Sequence, residues 1–168
     1  KNVRFFAGSP MIHYVLNTAL KTQMIDKVVV STDSQEISYI AELTGAQVVH
    51  RPAHLAEDHV TLDPVIHHAV ESVEQAEDIK FDIVLTLQPT SPLLSTHTLE
   101  TALKMFTEQS HIDSLISVID DRHLCWTKVG DDFVPAYQAR VNRQQLPSNY
   151  KETGAFFMTR RHWVSPTS

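Results

Sequence analysis

A glutamine that opens a proline-rich turn is the first group in this sequence that could do chemistry. Gln88 is followed by Pro89, Thr90, Ser91 and Pro92. The two prolines fix the backbone φ and remove two amide donors. A glutamine on so rigid a turn holds one donor and one acceptor in a fixed place, which suits recognition of a sugar hydroxyl or a base edge. The alternative interpretation is an ordinary stiff turn.

A second candidate lies in the polar segment 50–58, which contains Arg51. The planar guanidinium group of arginine can pair with a phosphate through two parallel hydrogen bonds. Arg51 is therefore a candidate phosphate-binding residue. The alternative is a surface arginine in an ordinary loop.

Paired carboxylates are candidates for acid–base work, although most such pairs are solvated loop ends. They occur at Glu57/Asp58, Asp120/Asp121 and Asp131/Asp132. Asp58, Asp120 and Asp121 lie nearest the ligand-binding edge that the predicted fold implies. Asp33 lies there too, although it could simply shape the turn before the next helix.

Histidine and cysteine give weaker signals. The ten histidines include no HxH, HExxH or Cys/His cluster, so a specific metal–histidine site is not expected. Cys125 is the single cysteine and has no obvious base beside it, and the chain contains no GxSxG motif.

The elements that must position these residues alternate between helix and strand. Apolar residues at helical spacing predict four helices, and Ser9 is the predicted N-cap of the first, with Pro10 at its first position. The other helices are predicted to begin at Ser34, at Asp63-Pro64 and at Thr96 or Thr98. Strands are predicted over 27–32, 46–49, 83–87, 114–119 and 154–159.

Strands this apolar are buried on both faces, as in a parallel sheet covered by helices. We therefore predict an α/β fold with an open, doubly wound, mostly parallel sheet in three α/β/α layers. Ligands bind such sheets outside the carboxyl ends of the strands. Asp33, Arg51, Gln88 and Asp120 each follow a predicted strand, so the four turns are expected at one edge of the sheet.

The alternation stops after Ile119. Two short strand-like pieces, 126–129 and 133–137, flank a turn at Gly130 and indicate a hairpin. An arm that leaves the sheet needs something to pack on, and a second subunit is the simplest partner. We predict one domain over 1–168 with a dimerisation arm at 121–150.

Composition excludes several other classes of protein. The 168 residues are 42% hydrophobic, enough to bury the core of one domain. Only four are glycine, where roughly 7% usage would give about twelve, and no GxGxxG or GxxxxGK[ST] motif occurs, which excludes dinucleotide-fingerprint and P-loop sites as the chain stands. The net charge of −6 argues against broad nucleic-acid binding. No apolar run reaches the roughly 18 residues of a membrane helix, and a single cysteine fits a reducing, cytoplasmic compartment.

Six segments, in order, give the whole chain a resemblance to the acylneuraminate cytidylyltransferases, also called CMP-sialic acid synthetases. The segments are 1–2 (KN), 29–33 (VVSTD), 51–58 (RPAHLAED), 87–92 (LQPTSP), 143–147 (RQQLP) and 151–155 (KETGA). The LQPTSP and RPAxLA pieces are specific when they occur together. The run 61–64 (TLDP) and the KETGAF segment resemble the bacterial branch that activates legionaminic or pseudaminic acid.

The resemblance implies a reaction. The anomeric hydroxyl of a nine-carbon 2-keto sugar acid attacks the α-phosphate of CTP, CMP-sugar forms, and pyrophosphate leaves while Mg²⁺ neutralises phosphate charge. It also implies a Rossmann-like nucleotidyltransferase fold, a homodimer through 121–150, and no nucleic-acid or membrane partner.

The resemblance also assigns roles to individual residues. It implies catalytic roles for Lys1 and Gln88. It implies nucleotide contacts from Lys1, Asn2, Arg51, Asp58 and Gln88, and sugar contacts from Gln88, Arg143, Thr153 and Phe157. Arg143 would reach the sugar acid from the arm, across the dimer interface.

Three departures from the family pattern shape these expectations. The family has a glycine-rich basic loop just before the position of Lys1, and its metal-binding aspartates lie beyond the position of Ser168. We therefore expect the chain to be part of a longer polypeptide and expect no metal ligands within it. Thr153 stands where asparagine is common. A CMP-Kdo synthetase and a non-catalytic nucleotide-binding dimer remain alternatives, and the sugar acid and the surface glycan that receives the product stay open.

Overall fold

The computed structural model describes residues 2–167, and the chain divides into two compact units. Unit 1 comprises Lys1–Ile116 and Gly154–Ser168, and unit 2 comprises Ser117–Thr153. The predicted arm at 121–150 thus lies within a unit of its own. Its role in dimerisation stays a prediction.

Unit 1 contains all the α-helices of the described residues, and they match the four helices predicted from apolar spacing. They are α1 (Met11–Lys21), α2 (Gln35–Thr44), α3 (Leu62–Glu77) and α4 (Thr96–Glu108). Among residues 2–167, no helix combines the length and the apolarity that crossing a membrane requires.

Side-chain caps explain where two of these helices begin. Ser34 Oγ accepts a first-turn N–H at the start of α2, and Gly45 ends that helix in the left-handed region at φ 98°. At the start of α4, Ser95 Oγ accepts the N–H of Thr98 at 3.1 Å. The cap of α4 is therefore Ser95, and the prediction of Thr96 or Thr98 is wrong.

The strands of the described chain are short, apart from the last. In chain order they are β1 (Phe5–Phe6), β2 (Ser9–Pro10), β3 (Val29–Thr32), β4 (Gln47–His50), β5 (Ile83–Leu87), β6 (Ser114–Asp120), β7 (Trp126–Val129), β8 (Asp132–Pro135) and β9 (Tyr150–Arg160). Strands β6 and β9 each include residues of both units.

The start of α1 differs from the prediction. Ser9 and Pro10 form β2, which pairs antiparallel with β1 through a turn at Ala7 and Gly8, where φ is 46° and 90°. Tyr14 Oη donates to the carbonyls of Phe6 and Ala7 at 2.5 and 3.0 Å and so holds this turn. Ser9 is therefore not an N-cap, because its backbone is committed to the hairpin.

The longer strands of unit 1 form two separate sheets. β3 and β4 pair in parallel, as the βαβ pattern predicts. The second sheet has the order β5-β9-β6, and β9 runs antiparallel to β5. The sequence pattern predicts the last strand, but the antiparallel direction of β9 and its place between β5 and β6 are findings of the structure.

Each sheet carries its own hydrophobic cluster. On the three-stranded sheet, α4 contributes Leu99, Ala102, Leu103 and Phe106, which pack with Phe156 and Met158 of β9. On the parallel pair, the buried cluster consists of Ile12, Leu16, Ala41 and Ala46. Burial of such side chains contributes about 25 cal/mol per Å² of apolar area and is the main stabilising term of unit 1.

Two consecutive arginines fasten the end of β9 to two helices. Arg161 forms a bidentate ion pair with Glu74 of α3, with Nε–Oε1 and Nη2–Oε2 distances of 2.9 and 2.8 Å. Glu74 is 3% exposed. It also accepts from Lys80 Nζ and from the Phe81 N–H, and the Arg161 hydrogen bond is the main cause that lowers its pKa to about 2.

Arg160, the preceding residue, completes the end of α4. Its guanidinium donates to the carbonyls of Phe106, Gln109 and Ile112 at 3.1–3.3 Å. The same group lies 4.5 Å from the centre of the Phe106 ring. It thus satisfies carbonyls that a helix end leaves without an intrahelical partner.

Unit 2 has a different construction. β7 and β8 form an antiparallel hairpin around Gly130, which adopts φ 61°. The predicted second piece, 133–137, is shifted by one residue at its start and ends at Pro135. No residue of unit 2 is buried, and Trp126 and Phe133 are 54% and 68% exposed.

Candidate functional site

Three of the predicted nucleotide-binding residues line one cavity of unit 1. Asn2, Arg51 and Gln88 border a cavity of about 710 Å³ together with Asp33. Asp33, Arg51 and Gln88 directly follow β3, β4 and β5. The polar rim of the cavity, which we call the mouth, thus lies at the strands' carboxyl ends, where α/β sheets bind ligands.

Arg51 is held to β3 by both its backbone and its side chain. Its N–H donates to the Thr32 carbonyl at 2.9 Å, while Nη2 and Nε donate to the carbonyl and Oγ of Ser31 at 2.6 and 3.2 Å. A guanidinium has five N–H donors, so three remain available to a ligand. The arrangement fixes the direction in which those donors point.

Asn2 lines the cavity and is hydrogen-bonded to the start of α1. Its carbonyl accepts the Ile12 N–H at 3.0 Å, and the residue is half-buried.

Asp33 is exposed, and the hydroxyl of the neighbouring Thr32 accepts the Ser34 N–H at 3.1 Å. Asp33 therefore sits on a turn that is shaped by its neighbours rather than by its own carboxylate.

Gln88 sits on a turn that is closed on two sides. Its N–H donates to the Ala155 carbonyl at 3.3 Å, and its own carbonyl accepts the Ser91 N–H at 3.2 Å. The side chain lies against Gly154, where a Cβ would approach Gln88 Oε1 to 3.0 Å. Gly154 also has φ 68°, a region that side-chain-bearing residues rarely adopt. The φ therefore favours glycine at this position, and a larger residue would also push the Gln88 amide away by a few tenths of an ångström.

The remaining predicted residues of unit 1 lie elsewhere. Asp58 is exposed, follows the 3-10 segment Ala53–Leu55, and does not line the cavity. Phe157 lines a second cavity of about 320 Å³, with Thr86 and Trp163 among its neighbours. Gln88 and Phe157, both predicted sugar contacts, therefore border different cavities. Lys1 lies outside the described residues.

Arg143 and Thr153 belong to unit 2. Arg143 opens a 3-10 turn over Arg143–Gln145 whose capping box is formed by Asn142. It is exposed, and within the described part of unit 2 no ion pair engages its guanidinium. Thr153 Oγ1 is paired with Ser117 Oγ at 2.6 Å, so its hydroxyl is already engaged.

The carboxylates Asp120 and Asp121, predicted near the ligand edge, are engaged by basic groups of unit 2. Asp120 Oδ2 accepts from Arg122 Nε at 2.6 Å, and this hydrogen bond is the main cause that lowers the pKa of Asp120. Asp121 pairs with His123 at 2.7 Å and with Lys151 at 3.7 Å. These contacts give both carboxylates a structural role.

Metal-binding side chains and the single cysteine add little to the site. Residues 2–167 contain no group of three or more His, Cys, Asp or Glu arranged to hold a metal ion. Cys125 is exposed in unit 2, and its Sγ lies 3.6 Å from the His123 carbonyl.

Sequence reasoning missed two features of unit 1. Gly154 was part of a predicted strand, and only its left-handed φ and its contact with Gln88 reveal its role. The β1–β2 hairpin was also missed, although Gly8 after Phe5, Phe6 and Ala7 is a recognisable turn signal. Its Phe5 is 76% exposed.

Two proteins of known type are similar to this chain in sequence. The chain is 30% identical to N-acylneuraminate cytidylyltransferase B of Danio rerio over 175 residues, which is 98% of this chain and 39% of that protein. It is 38% identical to CMP-N,N'-diacetyllegionaminic acid synthase of Legionella pneumophila over 108 residues, 62% of this chain and 45% of the relative. The chain thus spans less than half the length of both relatives.

A solved structure is also similar to this chain in its fold. A solved CMP:2-keto-3-deoxy-manno-octonic acid synthetase complexed with CTP superposes with a TM-score of 0.67 and 18% identity, over 98% of this chain and 68% of that one. This similarity confirms the predicted Rossmann-like α/β fold. The sequence matches the family described as cytidylyltransferase over residues 1–162. The chain belongs to the cytidylyltransferase family.

Proposed function

We propose that this chain forms the nucleotide- and sugar-binding part of a CTP-dependent cytidylyltransferase that activates a nonulosonic acid. The anomeric hydroxyl oxygen of the nine-carbon 2-keto acid forms a bond to the α-phosphorus of CTP. The bond from that phosphorus to the bridging oxygen breaks, pyrophosphate leaves, and the hydroxyl proton passes to a base. The names of the Danio and Legionella relatives support this choice of nucleotide and sugar.

The observation that carries the proposal is the position of Gln88 at the mouth, on a turn whose backbone is hydrogen-bonded to Ala155 and Ser91. The amide of Gln88 lies against Gly154, and Arg51 and Asn2 border the same cavity. Reactions at phosphorus depend mainly on positioning and on electrostatic stabilisation. An amide and a guanidinium that border one cavity are suited to orient a sugar hydroxyl against a nucleotide phosphate.

The other residues take roles consistent with their chemistry. We assign Lys1, Asn2, Arg51 and Asp58 to the nucleotide. Lys1 is assigned as a phosphate contact, and Lys1 and Gln88 are both assigned as catalytic groups. Arg143, whose guanidinium is exposed, suits the carboxylate of the sugar acid. Thr153 and Phe157 are assigned to the sugar pocket on the strength of the family resemblance alone.

A divalent cation, Mg²⁺, belongs to this proposal as the group that neutralises phosphate charge. Carboxylate oxygens are its usual protein ligands. Residues 2–167 offer no cluster of three such ligands, so they do not by themselves form a complete site. We assign no step to a cation held by these residues.

Unit 2 supports a proposed homodimer. Trp126, Val129 and Phe133 expose large apolar surfaces on a hairpin that has no buried residue. Exposed apolar patches of this kind mark interaction surfaces, and a second copy is the simplest partner. Sedimentation of a clean monomer at micromolar concentration would contradict this assignment. We also place the protein in the cytoplasm, because its single cysteine fits a reducing compartment.

The reaction is tested with CTP, Mg²⁺ and a panel of sugar acids, with pyrophosphate release as the readout. The panel contains N-acetylneuraminic, diacetyllegionaminic and pseudaminic acids, with Kdo as the eight-carbon alternative. We expect release with at least one nine-carbon acid and little with Kdo. Release with Kdo alone would favour the CMP-Kdo alternative, and no release with any acid by the full-length polypeptide would contradict the proposal.

Gln88→Ala tests the central residue. We expect turnover to fall about 100-fold, which is roughly 2.7 kcal/mol of lost transition-state stabilisation, with little change in the unfolding midpoint. Gln75→Ala is the matched control, because Gln75 is an exposed glutamine on α3. Equal losses of activity and stability in Gln88→Ala would instead favour an ordinary stiff turn.

A further inference from the structure

The start of α1 is closed by main-chain carbonyls instead of a capping side chain. Its N-cap residue is a proline, which has no side-chain acceptor. The N–H of Met11 donates to the Arg4 carbonyl at 2.9 Å. The N–H of Ile12 donates to the Asn2 carbonyl at 3.0 Å. Residues 2–4, which we call the entry segment, therefore supply acceptors that the first turn of a helix otherwise lacks.

The β1–β2 hairpin joins the entry segment to α1. Phe6 pairs with Ser9 across a two-residue turn, and φ is positive at both turn residues, Ala7 and Gly8, as in turns of type I′. Because the entry segment is hydrogen-bonded to α1, the chain forms a closed loop that contains this hairpin. A change in the backbone angles of the turn would therefore move the entry segment relative to α1.

Ala7 is an unfavourable residue for such a turn. Its φ of 46° lies in the left-handed region, where Cβ comes too close to the following carbonyl oxygen. Glycine adopts this region without that cost, and asparagine is also common at this turn position. Gly8 meets the requirement, whereas Ala7 does not. The turn therefore gains from a stabilising contact made by a residue outside the hairpin.

Tyr14 of α1 provides that contact. Its hydroxyl donates to the carbonyls of Phe6 and Ala7 at 2.5 and 3.0 Å. These carbonyls belong to the two peptide planes on either side of the Ala7 Cα, and the rotations of those planes are the φ and ψ of Ala7. The Tyr14 ring also packs edge-on against the Phe6 ring, with 5.7 Å between the ring centres. One hydroxyl thus holds both backbone angles of the strained residue.

We propose that Tyr14 is a positioning residue, which holds Asn2 at the cavity by fixing the turn at Ala7. Asn2 lines the cavity, and its carbonyl is bound to the start of α1. Tyr14 does not line the cavity, so it acts through the hairpin and the entry segment. This inference rests on the proposed function, because that function assigns Asn2 to the nucleotide.

Tyr14→Phe removes the hydroxyl and keeps the ring. In the 168-residue chain, we expect the amides of Met11 and Ile12 to exchange with solvent about tenfold faster, while the amide of Leu16 in the same helix is unchanged. Tyr39→Phe is the matched control, because Tyr39 is an exposed tyrosine of α2. Unchanged exchange at Met11 and Ile12 would overturn the proposal. Equal acceleration at Leu16 would also overturn it, because it would indicate a general loss of stability.

A second substitution tests whether Tyr14 acts through the turn. Asparagine followed by glycine is the preferred sequence of a type I′ turn. Ala7→Asn, added to Tyr14→Phe, should therefore hold the turn without the hydroxyl and return the exchange of Met11 and Ile12 to within about twofold of the wild type. A double variant that exchanges as fast as Tyr14→Phe would show that Tyr14 does not act by fixing Ala7.

Steady-state kinetics of the full-length polypeptide test the consequence for the nucleotide. We expect Tyr14→Phe to raise KM for CTP about tenfold and to leave kcat within about twofold, because Asn2 contributes to binding. The added Ala7→Asn should restore KM, and Tyr39→Phe should not change it. An unchanged KM in Tyr14→Phe would overturn the positioning role.

Failure of the proposed reaction can be told apart from failure of this inference. If the wild type releases no pyrophosphate with any sugar acid, the proposed reaction is contradicted. The affinity for CTP, measured by calorimetry, then replaces KM in the comparison of the same variants. A wild type that binds no CTP would overturn both proposals.

Discussion

Phe106 and Phe133 stand in opposite environments, and the contrast extends to the two units that contain them. Phe106 of unit 1 is fully buried beneath the three-stranded sheet, whereas Phe133 of unit 2 is 68% exposed. Unit 1 buries apolar side chains from helices and strands, while unit 2 is held by backbone pairing and by ion pairs such as Asp120–Arg122. Unit 1 thus has its own core, whereas unit 2 leaves large apolar side chains exposed.

The largest expected difference between the units is in the unfolding free energy that is lost when a phenylalanine ring is removed. Phe106→Ala leaves a cavity in a packed core and should cost about 3–5 kcal/mol of unfolding free energy. Phe133→Ala should stay within about 0.5 kcal/mol, because its ring is exposed in the isolated chain. Urea unfolding followed by circular dichroism at 222 nm reports on unit 1, which holds the helices. Similar losses of unfolding free energy in the two variants would contradict the difference in packing between the two units.

The next largest difference in stability is expected when the carboxylate of one ion pair in each unit is neutralised. Glu74→Gln breaks a buried bidentate pair and leaves Arg161 without its counter-charge, so it should cost about 3 kcal/mol. Asp120→Asn, the matched change in unit 2, removes an exposed charge and should leave the urea midpoint unchanged. If both substitutions lowered the urea midpoint equally, exposure to solvent would not explain how much each ion pair contributes to stability.

The same pair predicts a pH dependence. The pKa of Glu74 is lowered from 4.5 to about 2 by Arg161, so the folded state prefers the ionised carboxylate. Its stabilising contribution should be fully present above about pH 4.5 and should decline as the pH falls toward 2. The difference in unfolding free energy between the wild type and Glu74→Gln should shrink across this range. A difference that stays constant from pH 6 to pH 2.5 would refute the assignment.

The smallest expected effects come from capping side chains. Ser95→Ala removes the acceptor for the Thr98 N–H at the start of α4 and should cost about 1 kcal/mol. Asn142→Ala removes the cap of one exposed 3-10 turn in unit 2 and should not move the helical unfolding transition. Thermal unfolding followed at 222 nm compares the two. A larger shift from Asn142→Ala would indicate that unit 2 stabilises the helices of unit 1.

Local sequence patterns predicted much of unit 1 because each pattern has a local physical cause. Ile83–Leu87 was predicted at its observed bounds, since a short apolar run of mostly branched residues favours a buried strand. Arg51, Gln88 and Asp33 could be placed at one edge, because the carboxyl ends of parallel strands determine that edge. Periodicity likewise gave the four helices.

The failures involve partners that are distant in sequence. Nothing local to 150–160 specifies that β9 lies antiparallel between β5 and β6, because strand pairing depends on the whole fold. The contact between Gly154 and Gln88 joins residues 66 positions apart, and only the folded chain reveals it.

The spacing from Gly154 to Arg161 carries an evolutionary consequence. Gly154 must meet Gln88, Arg160 must reach the carbonyls that end α4, and Arg161 must reach Glu74 of α3. A one-residue insertion or deletion between them would reverse the direction of every later side chain in β9 and detach both arginines. Homologous sequences should therefore vary in residue identity along this stretch while keeping its length constant, and they should exchange Glu74 and Arg161 only together.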